Sequence, residues 1–280
     1  MAKFFVLAVS AFLTIFNPFA SAVSVLHGEH YHHHHGMALN FSYSGITGPA
    51  RWGALNPAFS ACSNGKSQSP INILRHKAVI NKKLKPLEMK YSRSVNATLM
   101  DNGFNVGISY GEDAGALVLE GKIYRLKQMH WHAPSEHQID GFHFAAELHL
   151  VHIAPDNSVA VLAVLLKLGR PDPLLAKIQK QLTELPSELL RQEKPRIFLG
   201  NLNTHELVKF SHSHKYYRYV GSLTTPPCTE DIIWTVIAKI HSVSREQVVA
   251  LRAPLDSACK RNSRPIQPLD GRQVELYERQ

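Results

Sequence analysis

The amino-acid sequence predicts a single, mainly β domain of the α+β class with a few short surface helices. Three observations predict it. Apolar and polar residues alternate over several stretches of strand length. Helical periodicity is confined to two short segments. From about Leu39 to Gln280 no repeat, low-complexity break or long linker divides the chain. The composition agrees: 280 residues, 44% of them hydrophobic and 19% charged, supply enough apolar material for one large core or two small ones. That excludes a disordered, collagenous or coiled-coil chain.

At the N-terminus, Lys3, the almost wholly apolar run Phe4 to Phe16, and Ala20-Ser21-Ala22 read as a cleaved export signal over residues 1–22. Asn17-Pro18 interrupts the run too early for a membrane span. Residues 23–38 form a histidine-rich tail around His27-Gly28-Glu29-His30-Tyr31-His32-His33-His34-His35. The tail has no periodicity with which to build a core. Metal capture, proton buffering and a plain solvated tail all fit it, and a short expression tag fits less well.

Residues 39–280 form the domain. Leu99 to Tyr110, Ala116 to Glu120, Tyr124 to His132, Phe144 to His152 and Ile233 to Ile240 suit strands. Val159 to Leu166, the longest later apolar run, is a buried strand and far too short to span a membrane. Asp172-Pro173 starts a helix with a cap and an N1 proline, and Leu174, Leu175, Ile178 and Leu182 form its apolar stripe. Ser244 with Gln247 is a capping box for a second helix that stops before Pro254.

The formal charge is +9, from 31 basic and 22 acidic side chains. Removing the signal leaves about +8. The densest basic region, Lys77 to Lys90, is interrupted by Pro86, apolar residues and Glu88. With no stacked aromatics, nucleic-acid motif or glycine-rich phosphate loop, no nucleic-acid partner is expected. The exported product is expected in an oxidising compartment, the periplasm or the extracellular space, where one disulfide can persist. Three cysteines allow three single pairings.

Seventeen histidines are the outlier, and imidazole is the commonest metal ligand. In Gln128-Met129-His130-Trp131-His132, strand alternation puts Gln128, His130 and His132 on one face. By itself the pair is unspecific. In Glu147-Leu148-His149-Leu150-Val151-His152, Glu147, His149 and Val151 share a face and His152 takes the other. A third imidazole from a neighbouring strand would complete three neutral nitrogens and leave a fourth position open, the pattern of catalytic zinc. Gln128 and Glu147 lie on the faces from which they can accept a ligand's free ring N–H. A metalloprotease helix is excluded, because His132 to His137 has the wrong spacing and contains Pro134.

The chain resembles an α-class carbonic anhydrase, most of all the exported bacterial type. The resemblance rests on YSGITGPARW (Tyr43 to Trp52), QSPINI (Gln68 to Ile73), QMHWHAPSEH (Gln128 to His137), ELHLVH (Glu147 to His152), YYRYVGSLTTPPCTE (Tyr216 to Glu230) and RPIQPL (Arg264 to Leu269). These occur in the family's order and spacing. The resemblance implies one large, twisted, mostly antiparallel sheet and one zinc ion per chain on His130, His132 and His149. The reaction it implies is reversible hydration of carbon dioxide to bicarbonate by zinc-bound hydroxide. It makes Thr224 and Glu136 the catalytic pair, with Thr224 accepting from the hydroxide and donating to Glu136. It assigns the carbon dioxide site to Val151, Val161, Leu223, Thr224, Thr225 and Trp234, and the cleft rim to Tyr43 and Asn102. It also pairs Cys62 with Cys228, leaving Cys259 free. Oligomeric state is left open, a dimer being one option.

One departure concerns proton release. Asp101 to Val106 aligns on the strand where the fastest members carry a shuttle histidine, and that position is Phe104, which cannot relay a proton. A further cleft asparagine position is Gly107. An acid of pKa about 7, recombining near ~10^10 per molar per second, releases a proton only about 10^3 times per second. Slow or buffer-dependent proton release follows, unless the His27 to His35 tract supplies the relay. A non-catalytic relative on the same scaffold and a zinc carrier built around the tract are the rival readings. His137 is expected to be structural, His152 to face away from the metal, and His212 and His214 to be loop residues.

Overall fold

The computed structural model describes residues 41–188 and 195–279. The export signal and the histidine-rich tail therefore lie outside the described residues. The described residues hold fourteen strands: β1 (Asn72–Ile73), β2 (Val79–Ile80), β3 (Glu88–Tyr91), β4 (Val95–Asp101), β5 (Val106–Tyr110), β6 (Gly115–Leu119), β7 (Lys122–His132), β8 (Gln138–Ile139), β9 (Ala146–Ile153), β10 (Val159–Leu168), β11 (Arg196–Leu202), β12 (Lys215–Gly221), β13 (Ile232–Val243) and β14 (Glu275–Glu278). Twelve of them form one sheet in the order β11-β4-β5-β7-β9-β10-β13-β12-β14-β2, with β6 also paired to β7 and carrying β3. Within it, only the pairs β10 with β13 and β14 with β2 run parallel. The expected large, mostly antiparallel sheet is present.

At its centre β9 is buried along its whole length and β10 from Val159 to Leu166, as strands covered on both faces require. One face packs Met129, Trp131, Leu148, Leu150, Leu162 and Val164 into the larger core. The other packs Val151, Val161, Ala163, Trp234 and Val236 into a second core. The histidine pairs read from the sequence belong to this second face.

Helices are short and peripheral: α1 (Trp52–Leu55), α2 (Ala61–Asn64), α3 (Pro173–Lys177), α4 (Gln179–Glu188) and α5 (Arg245–Arg252). Asp172 Oδ1 caps α3 by accepting from the N–H groups of Leu174 and Leu175, each at 3.0 Å. The helix expected from Asp172 is in fact two, because Ile178 leaves the helical region at φ −104°, ψ 11°. The stripe survives the break, and Leu174, Leu175, Ile178 and Leu182 are all buried. The capping box of α5 forms on both arms. Gln247 also accepts from Asp172 N–H at 2.7 Å, so one amide ties two helix starts together.

The single strand expected over Leu99 to Tyr110 is a hairpin. Asp101 Oδ1 accepts from Gly103 N–H at 2.8 Å, Gly103 takes φ +84°, and Asn102 N–H reaches Asn105 O at 2.9 Å. An Asp-Asn-Gly run that satisfies its own backbone is a turn, and it overrides the apolar alternation on either side. Phe104 therefore sits in the turn and not on a strand. Strands β3, β11, β12 and β14 were not expected from patterning. In β12, Tyr216 to Tyr219 are buried without alternation.

Among the described residues no helix is long and apolar enough to cross a membrane. Cys62 and Cys228 are bonded, with Cα atoms 5.0 Å apart, and Cys259 is free and buried. The bridge lies in a small cluster with Phe41, Trp52 and Phe59 and closes a sequence separation of 166. On the chain-entropy account, the Cys62→Ala/Cys228→Ala double variant should lose up to about 5 kcal/mol of unfolding free energy, measured by guanidinium denaturation.

A second prediction concerns His152, on the face away from the paired histidines. Its Nδ1–H donates to Ala160 O at 3.2 Å, and its Nε2 accepts from Tyr91 OH at 2.6 Å. Burial lowers its pKa to about 4. Between pH 6.5 and 4 the unfolded chain therefore takes up a proton that the folded chain refuses, and stability falls as the pH drops through that window. The fall should approach about 2–3 kcal/mol at pH 4.5. It should shrink by that amount in His152→Gln, as read from denaturation curves at pH 7 and pH 4.5.

Candidate metal centre

The site is a consequence of register. Strands β7 and β9 pair His130 with His149, His132 with Glu147, and Gln128 with Val151. Residues directly opposite in an antiparallel pair project to the same side, so the two alternating patterns merge on one face. The pairing continues across β10 and β13, where Val151, Val161 and Trp234 stand in one row. The three imidazole centroids are 5.0 Å (His130 to His132), 5.2 Å (His130 to His149) and 4.7 Å (His132 to His149) apart. One nitrogen from each ring lies within 4.8 Å of the other two.

Each ring is oriented by its other nitrogen. His130 Nδ1 donates to Gln128 Oε1 at 2.8 Å, His132 Nδ1 to the main-chain oxygen of Asn262 at 2.6 Å, and His149 Nε2 to Glu147 Oε1 at 2.8 Å. The inward nitrogens are therefore Nε2, Nε2 and Nδ1. His132 Nε2 is buried with no hydrogen-bond partner, a costly state for a polar atom that lacks an ion. Burial, with the neighbouring rings adding to it, holds His130 well below its ordinary pKa. It takes His132 to about 4 and lowers His149. Three neutral nitrogens converging from rigid strands form a donor set that fits a zinc ion.

Glu147 is the hub beneath the rings. Its Oε1 also accepts from His137 Nδ1 at 2.6 Å, and its Oε2 accepts from the backbone N–H groups of Glu136 and His137, each at 2.8 Å. Burial pushes this carboxyl up, but His137 and His149 outweigh it and hold it well below the carboxylate range. The chain of bonds runs on from His137 Nε2 to Tyr219 OH at 2.7 Å and to Ser69 Oγ at 2.8 Å. His137, Glu147 and His149 also group within 4.8 Å. Their facing atoms are already bonded to one another, so this is support and not a second ion site.

Glu136 stands at the edge of the ring cluster. Its Oε1 accepts from Arg264 N–H at 2.9 Å, and its Oε2 lies 3.4 Å from His132 Nε2. Burial raises its pKa to about 7, against the pull of His149, the Thr224 hydroxyl and Arg264 N–H. Thr224 is buried and Thr225 half-buried. Their loop is fixed by Leu223 N–H on Thr229 O at 2.9 Å, by Cys228 N–H on Thr225 O at 2.8 Å, and by the disulfide. Val151, Val161, Leu223 and Trp234 are buried in one apolar cluster, and the Trp234 ring sits 4.9 Å from that of His149.

Tyr43 and Phe104 belong to the aromatic cluster at the start of the described chain, and Asn102 to the turn between β4 and β5. Phe104 packs on Phe41 at 5.0 Å, Tyr43 on Trp52 at 5.5 Å, and Asn102 Nδ2 bonds Asn105 Oδ1 at 2.7 Å. Gly107 pairs with His130, and a Cβ there would come within 2.9 Å of Met129 O and 3.3 Å of Asn102 Nδ2. Glycine lets the turn fold down against the histidine strand. His212 ends a 3-10 helix and His214 precedes β12, so neither joins the cluster.

The family described as eukaryotic-type carbonic anhydrase matches residues 47–278. The chain belongs to the carbonic anhydrase family. The activity for which the family is named is the hydration of carbon dioxide to bicarbonate, and this chain is an enzyme of that class. The chain is 39% identical over 240 residues to α carbonic anhydrase 7 of Arabidopsis thaliana, covering 85% of this chain and 84% of that protein. The structure of an α-carbonic anhydrase from Thermovibrio ammonificans with sulfanilamide superposes with a TM-score of 0.74 at 36% identity, covering 85% of this chain and 99% of that one. A structure of dioscorin complexed with ascorbate gives 0.80 at 34% identity, covering 86% and 99%. The carbonic anhydrase relatives span plants and bacteria.

Sequence reasoning missed Asn262. Besides its oxygen on His132, its Oδ1 accepts from Ala133 N–H at 2.8 Å, and its Nδ2 donates to Phe104 O at 3.0 Å and Trp131 O at 3.1 Å. No residue type advertises a carbonyl that orients a ring, and only its place two residues before the RPIQPL segment hinted at a role. Asn262→Ala leaves Ala133 N–H buried and unpaired. It keeps the carbonyl that orients His132, and should cost about 1–3 kcal/mol of stability in chemical denaturation.

Proposed function

We propose that this chain hydrates carbon dioxide reversibly with one zinc ion held by His130 Nε2, His132 Nε2 and His149 Nδ1. The observation that carries the proposal is the unpartnered, buried His132 Nε2 facing two other inward nitrogens. Zinc in such a set acts as a Lewis acid and makes a hydroxide nucleophile available near neutral pH. Gln128 and Glu147 fix two of the ring orientations.

The remaining steps belong to the protein. Glu136 is positioned to accept from the Thr224 hydroxyl. Once Thr224 donates there, it can only accept from the attacking oxygen, which aims a lone pair at the carbon of the substrate. The Thr224 N–H and Thr225 line the rim, where a substrate oxygen is received. Val151, Val161, Leu223 and Trp234 offer a dry apolar wall to a linear molecule with no dipole, which hydrogen bonds would not hold. Phe104, with no ionisable group, leaves proton release to buffer. Residues 1–22 as export signal and 23–38 as tail complete the reading. The Cys62–Cys228 bridge supports an exported, oxidising location for residues 39–280, periplasmic or extracellular.

Stopped-flow hydration tests this. Stripping metal with dipicolinate should abolish activity, and one equivalent of zinc should restore it. Raising imidazole from about 5 to about 50 mM should increase turnover several-fold, because carrier-free release is limited near 10^3 per second. Phe104→His should raise turnover in weak buffer with unchanged zinc content. Activity that persists without metal would overturn the assignment of the centre. Turnover indifferent both to buffer and to Phe104→His would overturn the role given to Phe104.

A further inference from the structure

The densest basic stretch of the chain has no part in the metal centre. From Arg75 to Leu87 it holds Arg75, Lys77, Lys82, Lys83 and Lys85 and no acidic residue. In the sequence, apolar residues interrupt it. In the structure two of those interruptions turn inward: Leu84 and Leu87 are buried in the larger core, while Lys77, Lys82, Lys83 and Lys85 all stand exposed. Asp140, Glu88, Glu275 and Glu278, which flank the stretch, are already engaged. Asp140 pairs with Arg75, Glu88 with Lys90 at 2.6 Å and Glu278 with Lys215 at 3.3 Å, and Glu275 accepts from Asn81 Nδ2 at 2.7 Å. The four exposed lysines form no ion pair among the described residues.

The stretch is held along the outer edge of the sheet. Its strand β2 is Val79 and Ile80, and β2 pairs only with β14. Beyond it, Lys83 N–H donates to Asn81 Oδ1 at 2.9 Å, Leu84 N–H to Asn81 O at 3.2 Å, and Tyr216 OH to Lys85 O at 2.7 Å. Val79 and Ile80 are 45% and 59% exposed. Successive residues of a strand point to opposite faces. The two therefore splay to either side of the edge, and a surface that meets the sheet edge-on touches both. Lysines flanking an edge strand keep it from pairing with another chain. Two bare, branched apolar side chains between them do not serve that end.

We propose that this edge docks the protein on an anionic lipid surface. Lys77, Lys82, Lys83 and Lys85 meet the acidic headgroups, and Val79 and Ile80 enter the boundary between headgroups and acyl chains. Each lysine near such a surface adds to the attraction, and salt screens it. The apolar pair decides the class of partner. A polyanion in water gives Val79 and Ile80 nothing to enter, whereas a lipid boundary takes them out of water. In the sheet β2 lies five strands from β9, which at about 4.8 Å per strand is on the order of 24 Å. The histidine cluster is not part of the docking edge, and the inference does not rest on the metal centre.

Co-sedimentation of the full chain with lipid vesicles tests it. The chain should bind vesicles containing about one-third phosphatidylglycerol and not vesicles of phosphatidylcholine alone. Raising salt from about 0.05 to about 0.5 M should weaken that binding about tenfold or more. Lys77→Gln/Lys82→Gln/Lys83→Gln/Lys85→Gln should weaken it about fivefold per lysine. Val79→Ser/Ile80→Ser, which keeps every charge, should weaken it about tenfold. Lys66→Gln/Lys167→Gln/Lys239→Gln/Lys260→Gln takes the same charge from exposed lysines elsewhere, and should bind within about twofold of the parent. Equal loss in that variant reduces the effect to net charge and overturns the edge. Binding indifferent to Val79→Ser/Ile80→Ser overturns the lipid assignment in favour of a soluble polyanion. No preference for the anionic vesicles overturns docking altogether.

Discussion

The direct pairing of His130 with His149 across β7 and β9 is the constraint on which the site depends. Side chains change face with every residue of a strand, so a slip of one position would turn His149 away and offer Leu148 or Leu150 in its place. The slip is resisted by the cores on both faces. Leu148 and Leu150 fill the larger core, and Val151 and Val161 fill the smaller. Putting Leu148 and Leu150 among the imidazoles would bury Glu147 and His149 where nothing can bond them. Hydrophobic burial thus sets the register, and the register assembles the histidine cluster.

Burial has a cost that the hydrogen bonds offset. Rings taken out of water lose affinity for protons, which suits metal binding, but each keeps a ring N–H that must find an acceptor. The three acceptors come from different sources: Gln128 two residues from its ring on the same strand, Glu147 two residues from its own, and the main chain of Asn262, distant by 130 positions. Glu147 carries the greatest load, since four donors converge on its two oxygens. An acceptor so fully engaged stays ionised and holds His149 in one tautomer and one direction.

The parts of this arrangement carried by side-chain periodicity were legible in advance. Alternation placed His130, His132 and Gln128 on one face and turned His152 to the other, and capping chemistry located the starts of α3 and α5. What was hidden depended on backbone atoms or on distant chain meeting. Asn262 works partly through a carbonyl that every residue possesses. The turn at Asp101 to Asn105 lies inside a stretch whose apolar pattern reads on as a strand. The break at Ile178 leaves the burial of its stripe intact and so has no mark in the pattern. The cysteine pairing needed the family resemblance, because three candidates at unrelated spacings allow three answers.

The turn has a functional consequence. A side chain that relays protons must swing between the metal and bulk water, so its ring cannot also be a structural element. Phe104 is one: it packs on Phe41, which packs edge-on against Trp52, and Tyr43 and Trp52 are themselves in edge contact. Trp52 is in turn pinned through its Nε1 to Ser42 O at 2.9 Å. This aromatic cluster fixes the start of the domain against the bonded Cys62–Cys228 pair and, through that bond, the loop carrying Thr224. Position 104 is therefore committed to anchoring the N-terminal segment, and through the bonded cysteines the same cluster steadies the Thr224 loop; under the proposed function this leaves the position without a proton carrier.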